Sequence, residues 1–115
     1  MGATWRVRDK STFSALARHG RRAVSGPIRV TWLASPIDVP GRPCLAYAVP
    51  RGTGGAVTRN LVRRRLRAAA ADLAPGLAPG AYLVAYRGSE AAPFGELREH
   101  LTAAARSTGA LGARR

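Results

Sequence analysis

Between Gly54 and Arg67 the chain reads GGAVTRNLVRRRLR and carries five arginines: Arg59, Arg63, Arg64, Arg65 and Arg67. No acidic residue occurs from Val39 to Ala71. A guanidinium is a planar fork that stays charged and matches the oxygens of a phosphate. The chemistry such a run can do is to hold a polyanion. Arg59, Arg63 and Arg67 recur at i, i+4 and i+8, so in a helix they form one row, with Asn60 and Arg64 beside it. Neighbouring cations in that row repel by a few tenths of a kcal/mol per pair, and a polyanionic partner removes the repulsion. Solvated charged helices usually mix signs, and this one does not.

Other chemistries find less support. His19 and His100 are the only histidines and fall in different helical patterns, neither with a catalytic motif around it. His19 ends a helix, where a cationic imidazole suits the dipole. His100 precedes core-facing Leu101 and is expected at the surface. The six acidic side chains are few and scattered, with two of them, Glu96 and Glu99, in the last helix, so no metal cluster or acid/base pair is suggested. Cys44 is the single cysteine, which excludes an intrachain disulfide and a multi-cysteine zinc site. Gly52, Gly54 and Gly55 lack the Gly-Lys-Ser/Thr ending of a nucleotide-binding loop, although amides at a helix start could still meet one phosphate.

Composition bounds the answer further. The chain has 115 residues and a formal net charge of +13, enough for one domain with a modest core and too basic for a neutral surface. Residues 1–71 hold fourteen basic against two acidic side chains, and residues 72–115 five against four. The basic face therefore belongs to the first two-thirds, and nucleic acid is the commonest partner for such a surface. Lys10 is the only lysine, and the arginines accompany abundant Ala and Gly, so their clustering is the better evidence than their type. No apolar run is long enough to span a membrane, and no signal segment opens the chain. A cytoplasmic location is expected.

The elements that must position the arginine run follow from pattern and punctuation. Met1 to Arg8 reads as extended, anchored by Trp5 and Val7. Asp9 or Ser11 can cap a helix through His19, closed by Gly20, with Phe13, Leu16 and Ala17 inward. Arg22 to Ser25 can add a short strand. Pro27 to Ala34 alternates Ile28, Val30 and Trp32 against Arg29, Thr31 and Leu33, a strand pattern. Ser35 to Pro43, with Asp38, is a loop. Cys44 to Val49 is short and apolar, hence a central strand. After a turn at Pro50 to Gly55, the arginine helix runs from Ala56 to Leu73, with Val62, Leu66, Ala69 and Leu73 on one buried stripe. Pro75, Gly76, Pro79 and Gly80 break it. Ala81 to Tyr86 is a second buried strand. Pro93 opens a helix in which Phe94, Leu97, Leu101 and Ala104 recur to Ser107. The expected order is α-β-β-α-β-α, an α/β (α+β) two-layer sandwich with one mixed sheet. Residues 1–108 form the domain and 109–115 a disordered tail.

GGAVTRNLVRRRLR resembles the signature of the bacterial ribonuclease P protein subunit, Gly-Asn-Ala-Val, any residue, Arg-Asn-Arg, then a basic pair. RVRDKSTFSALARHGRR looks like that family's first helix, with Phe13 at its recurrent phenylalanine. AYAVPR looks like its central strand, and GAYLVAYRGSEAAPFGELREHL like its closing strand, loop and helix. The resemblance implies the ribosomal protein S5 domain 2-like fold, with the arginine helix as a left-handed βαβ crossover against the usual hand. It implies a subunit of an endoribonuclease that removes the 5′ leader of precursor tRNA. Hydrolysis would belong to the RNA subunit and its magnesium, and no catalytic or metal-binding residues would come from the protein. The expected partners are the catalytic RNA and precursor tRNA, with no membrane and no stable protein partner.

Carried onto this chain, Arg59, Asn60, Arg63 and Arg64 match the RNA-binding motif and Arg67 extends their row. Arg51 stands where a basic residue precedes the motif, and Phe13 matches the aromatic of a leader-binding cleft between the sheet and the first helix. Trp32 and Tyr47 are further candidate stacking platforms. Leu61 replaces the second arginine of Arg-Asn-Arg, Gly55 replaces the usual asparagine, and Gly52 a common basic residue. The arginine lost at Leu61 weakens one RNA contact and is expected to expose an apolar side chain, with Arg65 as a nearby compensation. Two other classes remain: a ribosomal or nucleoid type of RNA- or DNA-binding module, and a scaffold whose basic helix meets an acidic protein.

Overall fold

Strands form where apolar residues alternate or run unbroken, and helices where they recur at 3.6 spacing. The computed structural model describes residues 5–6, 10–34 and 43–111. Its elements are β1 (Trp5–Arg6), α1 (Lys10–His19), β2 (Arg21–Ser25), β3 (Ile28–Ala34), β4 (Pro43–Ala48), α2 (Ala56–Leu73), β5 (Gly80–Tyr86) and α3 (Phe94–Thr108). They build one mixed sheet in the order β1-β4-β5-β3-β2. The expectations for Val7, Asp9, Asp38 and most of the Ser35 to Pro43 loop lie outside the described residues.

β5 is central, parallel to β4 and antiparallel to β3. Every residue of β5 is buried except half-buried Leu83, which is what its continuous apolar run demands of a strand covered on both faces. A hairpin cannot join parallel strands, so the link from β4 to β5 must cross the sheet, and α2 is that link. β2 pairs antiparallel with β3 through a turn at Gly26, whose φ is 55°. A Cβ there would lie 2.5 Å from the His100 ring.

Alternation sorts the sheet into two unequal faces. Ile28, Val30, Leu45, Tyr82, Val84 and Tyr86 form the main core with Val62, Leu66, Ala69 and Leu73 of α2 and Leu97, Leu101 and Ala104 of α3. Trp32 stacks on Tyr82, with ring centroids 6.3 Å apart. Burial pushes the Tyr82 hydroxyl pKa up, and that hydroxyl donates to the Ala78 carbonyl. On the opposite face Leu16 of α1 packs on Cys44 and Ala81, flanked by Leu33, Ala46 and Leu83. This second cluster is small, and α1 leaves Ala48 of β4 exposed.

Four details differ from the sequence reading. Thr12 and Leu16 are the buried residues of α1, whereas Phe13 (39% exposed) and Ala17 face outward. A helix resting on so small a patch needs only one inward row. Phe94 is exposed, because α3 buries its face from Leu97 onward. His100 is half-buried, not a surface residue, and its Nδ1 lies 2.8 Å from Ser25 Oγ. Residues 109–111 continue the fold: Ala110 and Leu111 are buried, and Leu111 bridges to Leu77.

Candidate nucleic-acid interface

α2 is held by its apolar stripe. Val62, Leu66 and Ala69 are fully buried, and Ala70 and Leu73 nearly so. With that stripe fixed against the sheet, helical geometry fixes where the arginines go. Arg59 and Arg63 sit half-buried at the margin of the packed face, while Asn60, Arg64 and Arg67 are exposed. Arg51 is exposed in the 3-10 turn Arg51–Thr53 that leads into the helix. Gly55 precedes the helix without a side-chain cap, and Val57 in the first turn is 84% exposed.

Among the described residues the guanidinium groups find few partners. Arg63 Nη1 donates to Asn60 Oδ1 at 2.9 Å, which orients two motif side chains together. Arg67 lies over the Tyr47 ring, 5.7 Å from its centroid, a cation–π contact. Arg59 Nε is shielded from solvent without a hydrogen-bond partner. Among the described residues the one ion pair joins Arg98 to Asp72 at 3.3 Å, away from the row. Among those residues no carboxylate pairs with Arg59, Arg63 or Arg64.

The remaining sequence candidates are placed as follows. Phe13 is exposed on α1. Tyr47 supports Arg67, and Trp32 belongs to the core through Tyr82. Leu61, in place of a motif arginine, is half-buried. Arg65, its candidate substitute, is engaged structurally: Nη1 donates to the Ala92 carbonyl at 2.7 Å. Tyr86 holds the same loop, its hydroxyl donating to the Glu90 carbonyl and accepting the Ala92 amide. Two arginines missed in the sequence, Arg29 and Arg87, stand with Arg63 around a cleft at the carboxyl ends of β4 and β5. Each is isolated in sequence, so no charge run announces it.

Among the described residues no three His, Cys, Asp or Glu side chains gather to hold a metal ion. No helix of the described residues is long and apolar enough to cross a membrane.

Comparison with known proteins places this geometry. The family model described as Ribonuclease P matches residues 1–109. The ribonuclease P protein component of Clavibacter michiganensis subsp. michiganensis is 37% identical over 101 residues, covering 86% of this chain and 88% of the relative. That of Streptomyces bikiniensis is 35% identical over 108 residues, covering 86% and 87%. The solved RNase P protein of Staphylococcus aureus superposes with a TM-score of 0.81 at 15% identity, covering 94% of this chain and 98% of that one. The protein from Thermotoga maritima superposes with a TM-score of 0.72 at 20% identity, covering 84% and 92%. At those identities the superpositions establish the shared fold.

Proposed function

The chain belongs to the ribonuclease P protein family, and from that premise we propose that it is the subunit that grips the catalytic RNA and guides the precursor-tRNA leader. The observation that carries this reading is the group Arg59, Arg63 and Arg64, set on a helix anchored by its buried stripe and left without carboxylate partners among the described residues. Arg51, Asn60 and Arg67 extend it. Such a surface binds folded RNA through phosphates, with affinity falling steeply as salt rises. Phe13 offers an exposed ring on which a base of the single-stranded leader can stack.

In this reading the RNA subunit performs the hydrolysis. The magnesium it needs belongs, in the same reading, mainly to the RNA and the substrate. The protein lowers repulsion between two polyanions, and catalytic RNA and substrate then meet with less magnesium. The work takes place in the cytoplasm, with precursor tRNA as substrate and no membrane or stable protein partner involved.

Reconstitution tests this. Adding the protein to purified RNase P RNA should raise precursor-tRNA cleavage at low magnesium. A protein that never improves cleavage there, yet binds unrelated duplexes equally well, belongs with general nucleic-acid-binding modules instead.

A further inference from the structure

Arg18, Arg21 and Arg22 form a second cationic group, at the corner where α1 ends and β2 begins. All three are exposed. Arg22 Nη2 donates to the Ala17 carbonyl near the end of α1. Arg21 lies on the other side of β2, since its Cα partner is Trp32, which packs on the main core. A Cβ added at Gly109, where α3 ends, would lie 3.5 Å from Arg21 Nη1, and Arg106 is exposed in the last turn of α3. The group thus wraps the outer edge of the sheet, of which β2 is the last strand. A helix C-terminus favours a nearby cation, and Arg22 already serves that need for α1. Arg18 and Arg21 are surplus to it: neither has a hydrogen-bond or ion-pair partner among the described residues. Cations set this close repel one another until an anion lies over them.

This corner is separate from the arginine helix. β2 and β4 stand three strand spacings apart in the sheet, about 14 Å at the usual spacing. On the helical face α3 packs against both α2 and β2, so it stands between the two cationic groups. The exposed side of α3 carries Glu96 and Glu99, which repel a phosphate backbone. An RNA segment lying on α2 therefore does not continue across α3 to Arg21. The two groups suit two stretches of RNA.

We infer that the corner of Arg18 and Arg21 docks a second double-helical segment of the RNA subunit, apart from the segment held by α2. The inference rests on the proposed role of the chain as the subunit that grips the catalytic RNA. A corner wrapped around a strand edge offers cations to a phosphate backbone on a convex surface, which suits a duplex recognised by shape. A single strand calls for a groove with stacking aromatics instead. The substrate has to leave in every cycle. Two contacts on one RNA subunit reinforce each other, because the second forms within the complex made by the first.

The test combines Arg18→Gln with Arg21→Gln in the full chain and measures binding to purified RNase P RNA. Both positions are exposed and unpartnered among the described residues, so the double variant should unfold at the same urea concentration as wild type. Its affinity for the RNA should fall roughly ten- to a hundredfold at low salt. The slope of log affinity against log salt should fall by about 1.8, or about 0.9 for each of two duplex phosphates. Lysine at both positions should keep the slope, because the charge stays. Hydroxyl-radical footprinting at saturating protein adds a readout that a merely destabilised protein would not give. The double Gln variant should uncover one segment of the RNA and leave protected the segment that Arg63→Gln uncovers. Unchanged affinity and slope overturn the inference, and so does a variant that uncovers the same segment as Arg63→Gln. A loss confined to precursor tRNA with a long leader, the RNA subunit alone being bound normally, overturns it as well and assigns the corner to the leader. Wild-type protein that binds RNase P RNA no better than unrelated RNA would instead remove the gripping role itself, whatever the variants do.

Discussion

Replacing Arg63 by Gln separates folding from RNA binding within one side chain. Arg63 stands four residues from both Arg59 and Arg67, so the substitution relieves two like-charge pairs, about 0.4–1 kcal/mol together. It also loses the donor to Asn60 Oδ1, an exposed bond contributing roughly 0.5–1 kcal/mol. Gln and Arg have similar helix propensity. The terms nearly cancel, and the free protein should unfold in urea within about 0.5 kcal/mol of wild type. Binding to the RNA subunit has no such cancellation. A lost guanidinium–phosphate contact weakens it by about 1.5–3 kcal/mol, roughly ten- to a hundredfold. The slope of log affinity against log salt should fall by about 0.9. Urea denaturation of the free protein and filter binding to the RNA subunit, with no substrate present, read the two quantities apart. A variant that loses more than about 2 kcal/mol of stability while keeping its RNA affinity would refute the reasoning, because Arg63 would then be a structural residue.

Three further outcomes follow from the packing. Leu66 is fully buried beneath the arginine row, so Leu66→Ala should cost about 2–5 kcal/mol and lower Tm by roughly 10–20 °C. Below the new Tm its RNA affinity should match wild type, as measured by melting and filter binding. Gly80 has φ 141°, and an added Cβ would lie 2.4 Å from the Leu33 carbonyl oxygen. Backbone cannot yield there, so Gly80→Ala should destabilise by at least about 1–3 kcal/mol in a urea titration. Asp72→Asn removes the partner of Arg98 in an ion pair whose side chains are 47% and 46% exposed. The unfolding midpoint should stay within about 0.5 kcal/mol, because exposed pairs contribute little and an aspartate near a helix C-terminus opposes the dipole.

The parts of the fold legible in the sequence are those set by local pattern. α2 spans Ala56–Leu73 as its spacing predicts, because glycines precede it and Pro75 follows it. β5 reads from its unbroken apolar run. What stayed hidden depends on contacts far along the chain. His100 sits one position before a core leucine and reads as surface, yet it meets Ser25, 75 residues away. The Ala/Gly tail reads as disorder until Leu111 is seen bridging Leu77. Phe13 matches a helical core position, but nothing local says that α1 rests on a small patch around Cys44 and Ala81. The candidate site divides the same way. The arginine row is visible as a run, whereas Arg29 reads as the polar half of an alternating strand, and only the antiparallel pairing of β3 with β5, with α2 crossing between β4 and β5, brings it beside Arg87 and Arg63.

That division has a physical origin. A surface made to hold a polyanion is self-repelling in the free protein, so the stabilising contacts must lie elsewhere. Here they lie on one face of the sheet, where α2 and α3 bury nearly all the large apolar side chains. Concentrating the core there frees the other face from packing two helices, and α1 alone covers part of it. The uncovered part is where Ala48 and Ala85 leave a cleft and where Arg29 remains without a partner among the described residues. RNA that binds the folded chain and not the unfolded one adds stability by mass action. The unpaired arginines, a burden on the free domain, thereby become the coupling between folding and assembly.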